Sequence, residues 1–213
     1  MYTKPEFAPL SENEVFDLIK ATVFATVVTP GDAGLVVSHL PFVLKRSEAG
    51  DTRLESHLAR ANPHSQLIAE GRETVVIFNG PHGYISSSWY PEKPVRDSAP
   101  TWNFAVVHCH GRPVQIDEHA TARHLLELVD VLEGGREDRW HMRELGPGGM
   151  QRRLPNIIGF EIQTARIEAK FKMGQDERLY DTRAAIDALN IADPTLAETM
   201  VRHNENRKPD LEM

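Results

Sequence analysis

The chain has 213 residues, with 24 Lys+Arg against 31 Asp+Glu and a formal charge of −7; 40% of its residues are hydrophobic and 26% charged. That balance describes a folded domain of ordinary size and argues against a disordered chain or a general nucleic-acid binder, whose phosphate contacts need clustered Lys and Arg. A single cysteine, Cys109, excludes an internal disulfide framework and a cysteine-based zinc site. No apolar run reaches membrane-spanning length and residues 1–7 lack a signal-peptide core, so the expected compartment is cytoplasmic.

Ser11 with Glu14 three residues on is a capping box, which predicts a helix over 12–21 with Val15, Leu18 and Ile19 on its apolar stripe. Residues 24–29 read as a strand stopped by Pro30. Gly31-Asp32-Ala33-Gly34 is turn chemistry leading into a second strand over 35–44, hence a hairpin. A turn over 47–51 and a third strand over 52–58 follow. Asn62-Pro63 caps a short helix with Leu67 and Ile68 inward, because proline at the first helical position loses nothing by lacking an N–H. The apolar run 74–78 suits a strand covered on both faces. Gly80-Pro81-His82-Gly83 predicts a turn into 84–90, and the prolines of 91–100 predict a loop.

Residues 102–116 form a long strand. Asp117 then caps a helix to about 133, with Leu125, Leu128, Val129 and Leu132 at helical spacing and Gly134-Gly135 ending it; residues 146–149 connect onward. In the strand over 157–173 the apolar residues change phase, from Ile158, Phe160 and Ile162 to Ile167, Ala169, Phe171 and Met173. Strand side chains alternate strictly, so a bulge or bend is expected near 164–166. Two helices follow, one starting at Asp176 and one at Asp193-Pro194, the second with Leu196, Ala197, Met200 and Val201 on one face. About seven largely sequential strands with flanking helices predict a mainly β, α+β chain built on a small closed or partly closed barrel.

His108 and His110 stand two apart in one strand and share a face, but no acid accompanies them in that segment, and no metal site is expected. His39 and His57 are lone strand histidines of the kind usually satisfied by a polar neighbour. Cys109, in mid-strand, reads as a small core residue. Residues 83–103 hold Trp89, Trp102, Tyr84 and Tyr90 beside Ser86-Ser87-Ser88, Thr101 and Asn103. Rings to cover a planar ligand next to hydroxyls and amides for a phosphate would suit a cofactor; a packed aromatic corner under a polar loop is the other reading, and composition leaves both open.

The run Phe78-Asn79-Gly80-Pro81-His82-Gly83-Tyr84-Ile85-Ser86-Ser87-Ser88-Trp89-Tyr90 resembles the FxGPxxYISPSWY signature of the PaiB-like proteins, FMN-binding negative transcriptional regulators. Pro100-Thr101-Trp102-Asn103-Phe104 is similar to that family's PTWNY, Ser38-His39-Leu40-Pro41 to its NHLP, and 57–63 to its GHxARANP. Lys170 to Asp176 resembles KxKLSQN, with Gly174 and Asp176 departing from the pattern. The resemblance runs over about residues 1–189. It implies a flavin-reductase-like split barrel over 1–175 with a C-terminal helical extension over 176–213, a homodimer, and FMN at the dimer interface. Through these motifs the implied cofactor set is His39, His57, Asn62, Ser86, Ser87, Ser88, Trp89, Thr101, Trp102, Asn103, Lys172 and Gln175. DNA as a partner would follow from the family's name, although the charge does not favour it. A flavin-dependent oxidoreductase, such as an FMN reductase or a pyridoxamine-phosphate-oxidase-like enzyme, is the alternative function, and a haem-binding or haem-degrading barrel a further one.

Overall fold

The computed structural model describes residues 1–47, 50–92 and 98–207, so the middle of the loop expected over 91–100 lies outside the described residues. The chain divides into two compact units. One holds described residues 19–47, 50–78 and 108–167; the other holds 1–18, 79–92, 98–107 and 168–207.

The first unit is the barrel. Strands β1 (Phe24–Gly31), β2 (Gly34–Arg46), β3 (Thr52–Ala59), β4 (Thr74–Ile85), β5 (Thr101–Ile116) and β6 (Ile157–Lys172) close in the order β1-β2-β3-β6-β5-β4, with β4, β5 and β6 each also extending into the second unit. β1 pairs antiparallel with β2 and β4, and β3 with β2 and β6: Thr26 faces His39 on β2 and Ile77 on β4, and Ser56 faces Phe42 and Phe160. Alternation sends Ala25, Val27 and Thr29 of β1 and Leu54, Ser56 and Leu58 of β3 inward. Phe42 meets both Phe78 and Phe160 edge-on at about 6 Å, and all three rings are buried. Gly111 is required by this packing: a Cβ there would lie 2.4 Å from the Gln163 carbonyl oxygen. Pro30 does not stop β1. It sits opposite Leu35 at the hairpin end, where a missing N–H costs little.

Helix α2 (His64–Ala69) buries Leu67 and Ile68 as expected, and Asn62 Oδ1 accepts the His64 N–H at 2.9 Å. Helix α3 (Glu118–Glu133) is capped by Asp117, which accepts the Ala120 N–H at 2.7 Å. Its buried face is Thr121, His124 and Leu128, whereas Leu132 is exposed; the apolar spacing pointed to a stripe partly rotated from the one that packs. Residues 146–148 connect onward as expected, and helix α4 (Gly149–Arg153) begins at the last residue of that connector, between short 3₁₀ turns at Met142–Leu145 and Leu154–Asn156.

The second unit contains the start of helix α1 (Glu12–Thr22), helices α5 (Leu179–Ala192) and α6 (Pro194–Asn204), and the remaining parts of the three long strands. The capping box forms in part: Glu14 N–H donates to Ser11 Oγ at 3.2 Å, and the Glu14 carboxylate takes the Leu10 N–H at 2.7 Å. The predicted turn at 80–83 is a continuous strand, and for this reason six strands appear among the described residues where about seven were expected. Gly80 and Gly83 serve close approach: a Cβ would meet Leu18 at 2.7 Å and Leu196 at 2.8 Å respectively. Asp193 caps α6 through the Leu196 N–H at 3.1 Å; Leu196, Ala197 and Met200 are buried, but Val201 is exposed and His203 takes its place in the packed face. In β6 the buried residues switch from Ile158, Phe160 and Ile162 in the barrel to Phe171 in this unit, followed by buried Met173, as the change of phase required, and the pairing with β3 ends at Gln163. Among the described residues no helix is long and apolar enough to cross a membrane.

Candidate functional site

In the second unit, β5 and β6 bring Thr101, Asn103 and Lys172 together. Thr101 and Asn103 are two apart on β5 and therefore share a face. Lys172, the last residue of β6, reaches that face and donates to Thr101 Oγ1 at 2.9 Å and to Asn103 Oδ1 at 3.5 Å. Its side chain is 15% exposed, and Asp176 Oδ1 lies 3.7 Å from the ammonium. Asn103 is buried, and its amide nitrogen also contacts Met200 Sδ at 3.5 Å. A nearly buried cation beside a hydroxyl and an amide is a donor set suited to an anionic oxygen.

The serines of the central motif form a 3₁₀ turn, Ser87–Trp89, that packs against α5. Ser86 Oγ and Ser88 Oγ are 2.7 Å apart, and Ser86 Oγ also accepts the Ser88 N–H at 3.2 Å. Ser87 Oγ points elsewhere, donating to the Ser98 carbonyl at 2.7 Å. Trp89 is half-buried within that turn. Trp102, between Thr101 and Asn103, lies on the opposite face of β5, 51% exposed, beside Tyr84 and His82 with ring centroids 6.3 Å away from each. The amide of Gln175 is used by the turn after β6: its oxygen accepts the Met173 N–H at 2.6 Å, and its nitrogen donates to the Phe171 carbonyl at 2.7 Å and lies 3.3 Å from His203 Nδ1.

Electrostatics in this unit lean negative. Tyr90 is buried, and burial first, then the charges of Glu177, Asp181 and Asp176, push its hydroxyl up to about 12. Asp181 is fully buried, with one oxygen accepting from Arg178 Nε at 2.8 Å and Ser98 Oγ at 3.1 Å and the other without a partner among the described residues. His203, stacked on Phe171, bonds Glu14 Oε1 at 2.8 Å, which together with Leu10 lowers the Glu14 carboxyl against the opposing effect of its burial.

The other sequence-derived residues, His39, His57 and Asn62, lie in the barrel unit and have their partners there. His39 Nδ1 meets Thr26 Oγ1 at 3.1 Å, and its ring lies near Phe24. Asn62 enters a buried chain that sequence reasoning missed. Thr74 Oγ1 donates to the Arg72 carbonyl at 3.0 Å, so its oxygen accepts the Thr29 hydroxyl at 2.7 Å; Thr29 then accepts from His64 Nε2 at 2.8 Å. That leaves His64 Nδ1 to accept the Ser38 hydroxyl at 2.9 Å, and Ser38 accepts the Asn62 amide at 3.3 Å. Burial lowers the His64 pKa, in keeping with a neutral ring here. His57 Nδ1 lies 3.1 Å from His124 Nε2, a partner that the apolar reading of α3 passed over although its i, i+4 relation to Leu128 was visible. His108 and His110 share a face as expected, with ring centroids 6.4 Å apart, and Arg166 Nη2 is 3.1 Å from His110 Nδ1.

Residues 1–166 match the model of a family described as "Putative FMN-binding domain". The chain is 28% identical over 207 residues to the protein named Protease synthase and sporulation protein PAI 2 from Bacillus subtilis, covering 97% of this chain and 98% of that one. Among solved structures, a FAD and heme binding protein from Mycobacterium smegmatis is similar with a TM-score of 0.56 and 19% identity, over 77% of this chain and 72% of that one. The flavocytochrome Anf3 from Azotobacter vinelandii is similar with a TM-score of 0.56 and 21% identity, over 80% and 72%. These likenesses bear out the α+β split-barrel fold class.

Proposed function

The chain belongs to this FMN-binding domain family, and from that premise we propose that it holds the FMN phosphate at Lys172, Thr101 and Asn103. The observation that carries the reading is the Lys172 ammonium, 15% exposed, aimed by two neutral acceptors, Thr101 Oγ1 and Asn103 Oδ1, and paired with Asp176 only at 3.7 Å. Ser86 and Ser88, whose hydroxyls are hydrogen-bonded to each other at 2.7 Å, leave one hydroxyl hydrogen of the right kind to donate on the same unit. FMN supplies redox chemistry when bound; the chain's residues bind and orient it.

The aromatic wall supports a homodimer. Because alternation puts Trp102 on the far side of β5 from Thr101 and Asn103, one ligand does not meet both through the strand of a single chain. A site using both takes its wall from one copy and its phosphate grip from the other. The barrel unit independently presents an apolar outer face. Val28 stands between Val37 and Val75 in the paired strands, Thr26 stands between His39 and Ile77, and Phe24 and Leu35 are 60% and 70% exposed. A face on which exposed Phe24, Leu35 and Val37 lie with Val28, Val75 and Ile77, the polar Thr26–His39 pair among them, supports association of two copies. A regulatory, cytoplasmic role is the reading that the resemblance of the 78–90 and 100–104 motifs to the FMN-binding negative regulators favours. The −7 charge favours action through flavin state or a protein partner over extended duplex contact.

The test is FMN titration by quenching of flavin fluorescence. Replacing the ammonium in Lys172→Met removes a charge-assisted bond worth about 1.5–3 kcal/mol, which is on the order of 10- to 100-fold in Kd. Unchanged affinity in that variant, with its fold intact by circular dichroism, places the phosphate elsewhere.

A further inference from the structure

An ammonium carries three hydrogens, and those of Lys172 face three acceptors of its own chain: Thr101 Oγ1 at 2.9 Å, Asn103 Oδ1 at 3.5 Å and the Asp176 carboxylate at 3.7 Å. Two are neutral. The third is an anion on the residue four positions later, and it already balances the charge a phosphate would seek. We propose that Asp176 is an internal stand-in for the ligand phosphate, which FMN must displace, so that Asp176 sets how strongly the chain distinguishes phosphorylated from unphosphorylated flavin. This rests on the assignment of Lys172 to the phosphate.

The surroundings make the carboxylate the movable part. The turn that carries it is held from several sides. Gly174 adopts a φ of +85°, open to glycine at little cost, and its carbonyl accepts from Thr182 Oγ1 and Arg207 Nη1, each at 3.0 Å. The Gln175 amide ties the same turn to Met173 and Phe171. The Asp176 side chain keeps 25% of its surface in water, so rotation toward solvent breaks only a 3.7 Å ion pair and leaves the turn in place.

Among the described residues, the neighbouring cations are engaged elsewhere. Arg178 pairs with Asp181 at 2.8 Å, and Arg207 donates to the carbonyls of Gly174 and Glu177. Lys170, on the same face of β6 as Lys172, reaches the Tyr2 carbonyl and lies over the rings of Tyr2, Phe7 and Phe104 at 5.2–5.5 Å. A phosphate arriving at Lys172 therefore meets Asp176 as a like charge, with its main counter-charge already compensated.

Affinities for FMN and for riboflavin, measured by flavin fluorescence on the full chain, test this. Asp176→Asn keeps size and an acceptor oxygen while removing the charge. It is expected to tighten FMN about tenfold, roughly 1.4 kcal/mol, and to leave riboflavin unchanged. If FMN affinity is unchanged or weaker in Asp176→Asn while Lys172→Met still loses FMN, the stand-in is overturned and the Lys172 site survives. Equal tightening of FMN and riboflavin also overturns it, since the effect would then not act on the phosphate. Unchanged FMN binding in Lys172→Met overturns both readings together.

Discussion

The buried imidazole pair of His57 and His124 gives the fold a pH dependence that one substitution should remove. His124 projects from α3 toward β3 at 1% exposure, its Nε2 3.1 Å from His57 Nδ1 and its Nδ1 without a partner among the described residues. Burial first, then the charges of His57 and of Lys45, hold its pKa down at about 4; Lys45 itself pairs with Glu127 one turn further along α3. Burial likewise lowers His57. In the unfolded chain an imidazole titrates near 6.5. As pH falls through 6.5 the unfolded state takes up a proton that the folded state refuses, so stability is fully present above that value and is lost progressively down to about 4. The difference of about 2.5 pKa units corresponds to roughly 3 kcal/mol in full, and about 2.5 kcal/mol of it is already lost at pH 4.5.

His124→Leu replaces the ring with an uncharged side chain of suitable bulk. Urea unfolding of both proteins at about pH 7.5 and 4.5 should show the wild-type chain losing about 2–3 kcal/mol more than the variant between the two conditions. The variant will keep some pH dependence from His57 and His64, whose pKa values are lowered by their own burial, so the difference between the two proteins is the diagnostic quantity. Losses that agree within about 0.5 kcal/mol would refute the argument, because they would mean that His124 does not resist protonation in the folded state.

Gly111→Ala should destabilise the barrel by about 1–3 kcal/mol in thermal or urea unfolding, since its Cβ would stand 2.4 Å from a backbone oxygen that cannot swing aside. Cys109, fully buried with its thiol pushed up to about 12 by burial, should resist iodoacetamide in the native protein at pH 8 and react in denaturant, as read by mass; rapid native labelling would contradict its burial. Duplex DNA binding should be weak, without sequence preference and steeply reduced by salt, as the −7 charge demands. Nanomolar operator-selective binding at physiological salt would instead make direct repression the leading function.

Much of the architecture was legible because its signals are local. Capping at Asp117 and Asp193 places the starts of α3 and α6 through bonds reaching only three residues on. The change of phase in β6 announced that its two ends pack in different cores, since a strand presents alternate residues to opposite sides whatever lies there. The candidate site was legible only as a set of residue types. Thr101, Asn103 and Lys172 were all named, but that the lysine at the end of β6 grips two residues of β5 depends on which strands become neighbours. The same dependence turned Gln175 and Asn62 toward turns and buried chains of their own.

The sequence by itself determined the element types, the barrel class and the family, because periodicity, caps and a long continuous motif are written along the chain. Tertiary structure alone decided that Gly80 and Gly83 are points of close approach in a strand and not a turn, since the constraint comes from Leu18 and Leu196, far away in sequence. It alone decided that His124 pairs with His57, that Trp102 meets Tyr84 and His82, and that Asp176 meets Lys172. Hydrophobic patterning specifies which side of an element is buried. Which charged and polar groups then meet is a matter of distances of a few ångströms between segments remote in sequence, and such distances exist only once the chain has closed on itself.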